Sequence, residues 1–405
     1  MNDADVVVIG AGLTGLRAAL EVVRAGLSVL VVERENEVGG RIRTSLERGC
    51  LLDHGFQVIL SAYPELLGLP SLEPLQLAPF LAGARVRMNG EQYDILDPVR
   101  HPSSVFKTLR TPIASLMDLT RLGCFTFGLP WSFARAQHRS CAEALDQWRF
   151  SPLFRSAFLN PFLRGVLLDP NLSSDAGLAT FYLRTFARGR ATLPAAGMQA
   201  LPNHLAASLG RQHILLSSTV THLRSDRVIL ATGEEIRARH VICAVDALSA
   251  AALGGPEQTT PLLGTATIYF LADRAPYSEP ILTISGDSRG PINNLAVLTN
   301  VQKSYSPVGT ALISVSIVGD QARRPNELLL PEVRKQLHDW FGPSAANWEH
   351  IRTFRIDNAL PARPRLTQGS LTRDGIVFAG DYLSYGSHNG ALQAGRAAAL
   401  SIVAE

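Results

Sequence analysis

Near its start the chain runs Val6-Val7-Val8-Ile9, then glycines at 10, 12 and 15. Apolar residues at helical spacing follow through Arg24, and then comes Leu27-Ser28-Val29-Leu30-Val31-Val32. A β-branched apolar run predicts a strand buried on both faces, the glycines a turn into a helix, and the second apolar run a parallel partner. From about residue 63 to 196 the pattern changes to proline-punctuated helical pieces, chiefly 103–121 and 153–168. Residues 53–60 read as an apolar strand preceded by a polar, glycine-containing turn, 201–209 as a helix, and 213–223, 227–231 and 236–244 as short strands. Further strands are expected over 265–271, 281–285, 295–299 and 310–318. A last one, Ile376-Val377-Phe378-Ala379-Gly380-Asp381, precedes a helix that starts near Asn389.

Length and composition refine this picture only at the margins. The 405 residues exceed what one core holds and predict more than one domain, and 46% hydrophobic against 18% charged residues predicts a large folded core. A net charge of +3, with lysine only at Lys107, Lys303 and Lys335, carries no basic block and argues against a nucleic-acid partner. Cys50, Cys124, Cys141 and Cys243 are scattered, so neither a metal site nor a disulfide framework is expected. A reduced, cytoplasmic setting fits, and the opening apolar run reads as part of the fold, not as a signal peptide.

The opening unit has a specific chemistry. Gly10 permits a tight turn, Gly12 lets backbone approach a pyrophosphate, and Gly15 lets the helix lie close to the strand. The helix start, with Leu13 and Thr14, aims free N–H groups at phosphate oxygens. Glu33, at the end of the second strand, can accept hydrogen bonds from a ribose. Beyond it, Val38-Gly39-Gly40-Arg41-Ile42-Arg43 is a glycine-paired loop with two cations that can meet a charged ligand. Residues 121–133 carry Leu122, Phe125, Phe127, Leu129, Trp131 and Phe133. That aromatic surface suits packing inside a second domain, or else an entrance for a lipophilic molecule or a membrane surface.

The glycines, the acid after the second strand and Val38-Gly39-Gly40-Arg41 together resemble the FAD-binding opening of the flavin amine oxidase superfamily. That group includes amine oxidases, protoporphyrinogen oxidases, phytoene-type desaturases and hydroxysqualene dehydroxylases. Gly380-Asp381, followed by Gly390-Ala391 and Ala394-Gly395 on a helix, resembles the family's closing flavin motif, with Ala394 where a serine is usual. The resemblance implies an α/β fold: a Rossmann-like FAD-binding domain of the two-dinucleotide-binding-domain type with a discontinuous second α+β substrate domain. The expected division is 1–62, 197–246 and 343–405 for FAD, and 63–196 and 247–342 for substrate.

By the same resemblance the FAD contacts fall on Gly10, Gly12, Leu13, Thr14, Gly15, Glu33, Arg34, Gly40 and Arg41. They continue through Gly55, Phe56, Gln57, Val220, Gly380, Asp381, Asn389, Gly390 and Ala391. His388, Tyr385 and His54 are the candidate catalytic groups. Amine oxidases of the superfamily carry a lysine on a second-domain strand whose equivalent here is Thr265. Together with the apolar second domain, this favours an FAD-dependent dehydrogenase or desaturase of a hydrophobic, isoprenoid-like molecule. Oxygen or another acceptor would take the electrons, and peripheral membrane contact is an option. The alternatives are a peroxide-producing amine oxidase, or a flavin-binding isomerase or non-redox protein.

Overall fold

The computed structural model describes residues 3–127, 139–257, 261–287, 289–362 and 369–403. Strand Ala4–Ile9 lies at the middle of an eight-stranded sheet, parallel to Val29–Val32 on one side and Glu235–Cys243 on the other. Ile214–Leu215 and Ile376–Ala379 extend this parallel array outward. Val6, Val7 and Val8 have no exposed surface, which is why the strand reads as an unbroken apolar run. Helix Leu13–Arg24 covers the sheet and packs on the closing helix His388–Val403. Their approach is close because Gly395 stands where a Cβ would lie 2.2 Å from the Thr14 carbonyl oxygen.

A second, seven-stranded sheet has the order Glu349–Pro361, Leu262–Ala272, Ala311–Val318, Asn294–Val297, Leu282–Ser285, Gly83–Met88, Glu91–Leu96. One face, carrying Ala266, Ile268, Phe270, Ile313 and Val315, is covered by Leu329, Val333 and Leu337 of helix Asn326–Phe341. The opposite face, with Thr265, Thr267 and Tyr269, turns toward the first sheet's side of the molecule. There the Tyr269 hydroxyl donates to the Asp53 carbonyl at 2.8 Å.

Three expectations need correction. The expected domain division gave 343–405 to the nucleotide-binding part, yet Glu349–Pro361 pairs along Leu262–Ala272 in the second sheet, and the chain returns to the first sheet with Ser370–Arg373 and Ile376–Ala379. The strand expected within 53–60 is shorter than its apolar run: the chain turns at Gly55 (φ +97°) after Cys50–Asp53, and only Ile59–Leu60 pairs again. Positive φ there favours glycine and breaks the pleat. The helix over 103–121 is split into Val105–Leu109 and Leu116–Phe127 around Pro112.

The second long helix, by contrast, is continuous from Pro152 to Leu167, but with a π-helical turn over Arg155–Leu159 just ahead of Pro161. Proline lacks an N–H and collides with the carbonyl four residues back, so a widened turn accommodates it. Leu129, Trp131 and Phe133 of the aromatic stretch lie outside the described residues. No helix among the described residues is long and apolar enough to cross a membrane.

Candidate functional site

A cavity of about 1250 Å³ runs from the opening glycines, past the ends of the parallel strands, to the second sheet. Ordinary small-molecule sites occupy roughly 300–1,000 Å³, so this space has room for more than one ligand. At its first end lie Gly10, Gly12, Leu13, Thr14, Glu33, Arg34, Gly40 and Arg41, with Val220, Gly380, Asp381 and Ala391. Gly10 has φ +97°, and a Cβ on Gly15 would lie 1.8 Å from its carbonyl oxygen, so both the turn and the helix approach depend on glycine. A Cβ on Gly12 would meet no protein atom within 4 Å: the backbone is bare toward the cavity, as a phosphate cradle requires.

Glu33 is buried, and its carboxylate accepts from the Ala11 N–H at 2.6 Å and the Glu35 N–H at 3.0 Å. It therefore braces the glycine loop from the strand beside it, a role the sequence did not suggest. Arg41 donates to the Ala359 carbonyl at 2.5 Å and forms an ion pair of 2.7 Å with Asp381. This pair joins the paired-glycine loop to the far end of the chain across the cavity wall.

Beside it sits a hydrogen-bonded chain. The Gln57 amide N–H donates to the His54 carbonyl at 3.1 Å, which leaves Gln57 Oε1 to accept from His388 Nε2 at 3.0 Å. Burial, and next the Arg41 charge, push the His388 imidazole down to about 4, so it is neutral at neutral pH. Its Nδ1 is buried without a partner among the described residues, as is the Tyr382 hydroxyl, and both residues line the cavity. Buried polar atoms without a partner are rare in folded proteins, and these two belong to side chains of the cavity wall. His54 lines the same wall. Its ring contacts Ser45 Oγ at 2.7 Å and stacks on Phe354 at 4.3 Å, and burial, then Arg43, lower its basicity.

Gly55 and Phe56 also line the cavity, and the Phe56 N–H donates to Thr267 Oγ1 at 3.1 Å. Tyr385, Asn389, Gly390 and Gly15 are not on the wall. Tyr385 requires a correction: its ring sits in the second core against Phe181, and its hydroxyl accepts from Asn389 Nδ2 at 2.6 Å. Asn389 is in turn occupied by the Glu65 N–H at 3.0 Å. Gly390 serves packing, since a Cβ there would lie 2.1 Å from the Tyr385 carbonyl oxygen.

The sequence reading missed Asp53. Its buried carboxylate accepts from Thr44 Oγ1 at 2.5 Å, the Met198 N–H at 2.8 Å and the Tyr305 hydroxyl at 2.8 Å, and burial raises it to about 6. An acid closing the apolar strand Cys50–Asp53 was the available signal. Thr265 lines the cavity and donates to the Ile317 carbonyl at 2.9 Å.

Known proteins resemble this chain at several levels. Hydroxysqualene dehydroxylase of Rhodopseudomonas palustris is 27% identical over 434 aligned residues, 98% of this chain and 98% of that protein. Putrescine oxidase of Kocuria rosea is 28% identical over 249 residues, 55% of this chain and 49% of that protein. A shorter match, 60 residues of an Arabidopsis thaliana protoporphyrinogen oxidase at 40% identity, spans 15% of this chain and 12% of that protein. The solved structure of an oxidoreductase from Methanosarcina mazei superimposes with a TM-score of 0.77, covering 99% of this chain and 100% of that one at 17% identity, which shows the shared fold. The model of the family described as flavin containing amine oxidoreductase matches residues 13–403, and the chain belongs to that family.

Proposed function

We propose that this FAD-dependent oxidoreductase acts as a dehydrogenase or desaturase on a hydrophobic, isoprenoid-like substrate. Its cofactor is FAD, and the bare glycine turn, the Arg41–Asp381 pair and the cavity-lining His388 and Tyr382 form a surface that fits it. When bound, FAD supplies the hydride-accepting redox chemistry, and the protein supplies binding, orientation and exclusion of water.

The observation that carries the substrate reading is the other half of the same cavity. Its wall there is made largely of Leu122, Phe158, Phe162, Val166, Leu183 and Phe186. An apolar chamber continuous with the cofactor end favours an apolar substrate through burial of its surface, at roughly 25 cal/mol per Å². Among the described residues no lysine lines the cavity, and Thr265 stands where the amine oxidase lysine was expected. His388 is a neutral group, held toward Gln57 by one ring nitrogen, that can accept a hydrogen bond through the other. The Tyr182 hydroxyl donates to the Gly386 carbonyl at 3.0 Å, so it fixes the loop before the closing helix.

Exposed Phe106, Leu116 and Met117, close in sequence to the cavity-lining residues Val99 and Leu119, support peripheral contact with a membrane surface as the source of such a substrate. Oxygen or another acceptor would then reoxidise the cofactor. The deciding experiment is anaerobic bleaching of the bound flavin by acyclic isoprenoid donors and, separately, by primary and secondary amines. Bleaching by the isoprenoids alone is the expected result; bleaching by amines alone would overturn the reading.

A further inference from the structure

Two carboxamides stand in the apolar half of the cavity. Asn293 immediately precedes strand Asn294–Val297 and Asn294 begins it, and both are buried (9% and 4% exposed) yet line the cavity beside Phe162, Gly165 and Ile284. Their hydrogen bonds can be counted. Asn293 Nδ2 donates to the Pro161 carbonyl at 3.2 Å and to Asn294 Oδ1 at 2.9 Å, which uses both of its N–H groups and occupies the neighbour's oxygen. Asn293 Oδ1 and Asn294 Nδ2 keep no protein partner among the described residues. Neither atom is sealed in the core, so one acceptor and one donor face the cavity side by side.

The backbone has been shaped around this pair. Gly165, on helix Asn160–Leu167, presses so close that a Cβ would lie 2.7 Å from Asn293 Nδ2 and 3.1 Å from Asn294 Oδ1. The π-helical turn Arg155–Leu159 precedes that helix and sets the phase in which Pro161 and Gly165 meet the asparagines. Irregular turns of this type recur at functional sites. Asn294 is also aligned, through Ser316, with Thr267, which accepts from the Phe56 N–H on the cofactor side. Two strand spacings, roughly 10 Å, therefore separate the pair from that side of the cavity.

Two buried amides are an expensive way to line an apolar chamber unless a ligand completes their bonding. We infer that the Asn293–Asn294 pair binds a hydroxyl group of an otherwise apolar substrate. An alcohol both donates and accepts, so it satisfies Asn293 Oδ1 and Asn294 Nδ2 together. A carbonyl would leave Asn293 Oδ1 unpaired, and a hydrocarbon would leave both unpaired. The inference rests on the lipophilic-substrate reading and narrows it to alcohols.

The test uses the FAD-loaded protein and two probes of matched skeleton, farnesol and farnesene, with binding followed by perturbation of the flavin absorbance. In the parent protein farnesol should bind at least about tenfold more tightly than farnesene, the scale of one buried polar group left unpaired. Asn294→Leu should bring the two within about twofold of each other while keeping the yellow cofactor. If that variant fails to fold, Gly165→Ala probes the same pair from the opposite wall, and should lower farnesol affinity selectively. Equal binding of both probes to the parent, or an unchanged preference in the variants, overturns the hydroxyl site alone. Binding of neither probe to the FAD-loaded parent overturns the lipophilic reading and the hydroxyl site with it.

Discussion

Single residues in this site act mainly by holding other groups in place. Glu33 was legible as a ribose acceptor from its position after the second strand, but its bond to the Ala11 N–H depends on how the loop folds back, which spacing does not encode. Glu33→Ala should therefore release FAD readily, by two routes at once, while far-ultraviolet circular dichroism stays near that of the parent. Retention of FAD as tight as the parent's would remove Glu33 from the site. Tyr385 was chosen as a polar group near the closing helix, yet its hydroxyl is used by Asn389. Tyr385→Phe should cost about 1 kcal/mol of stability and leave turnover unchanged, as read from urea midpoints and steady-state rates.

Two buried titrating residues give opposite pH dependences. Asp53 is raised to about 6 by burial, so its folded form holds a proton more tightly than the unfolded chain does. Its contribution is complete below pH 4 and is lost as pH rises through 6, on the order of 3 kcal/mol for about two pH units. His388 is lowered to about 4, chiefly by burial, so its contribution is present above 6.5 and is lost as pH falls toward 4. Over pH 4 to 6 the two contributions oppose each other, so Asp53→Asn, with Tyr305 able to accept from the new amide, should make the melting temperature rise more steeply with pH than in the parent. An unchanged slope would mean that Asp53 ionises normally.

At the level of elements, legibility follows burial. The opening strand, its helix and the final strand were readable because both faces of each strand are covered and the glycine spacing is tied to a turn. Strand Glu349–Pro361 was not, because this outer strand is mostly half-exposed and carries Glu349, Arg352, Arg355 and Asp357 among its apolar residues. A half-solvated strand with mixed polarity has no periodic signal that separates it from a loop. The contact between the opening and closing helices was only half visible: Ala394-Gly395 was recognisable as a motif, but its partner, the Thr14 carbonyl, was not. Gly395→Val should force the helices apart, costing 1–3 kcal/mol or more and lowering FAD occupancy, measured as flavin bound per chain. Normal occupancy with a normal melting temperature would show that the helices can slide.

Across the whole molecule, the cofactor end of the cavity is assembled from residues near both ends of the chain, and Arg41–Asp381 is an ion pair that joins them. The two partners are unequal: the Arg41 side chain is 41% exposed and that of Asp381 only 7%. Removing Asp381 leaves a cation that water can reach, whereas removing Arg41 leaves a buried carboxylate without its counter-ion. Arg41→Ala should therefore destabilise the cofactor-free protein more than Asp381→Ala does, by thermal melting after FAD is stripped. Added FAD should then restore stability by RT ln(1 + [FAD]/Kd), about 2.7 kcal/mol at a hundredfold excess over Kd in the parent. At the same FAD concentration both variants should recover less, because each removes a group from the cavity wall. If Asp381→Ala recovered as fully as the parent, Asp381 would serve only to hold Arg41, and the closing half of the FAD site would have to rest on the backbone of Gly380 and the start of the last helix.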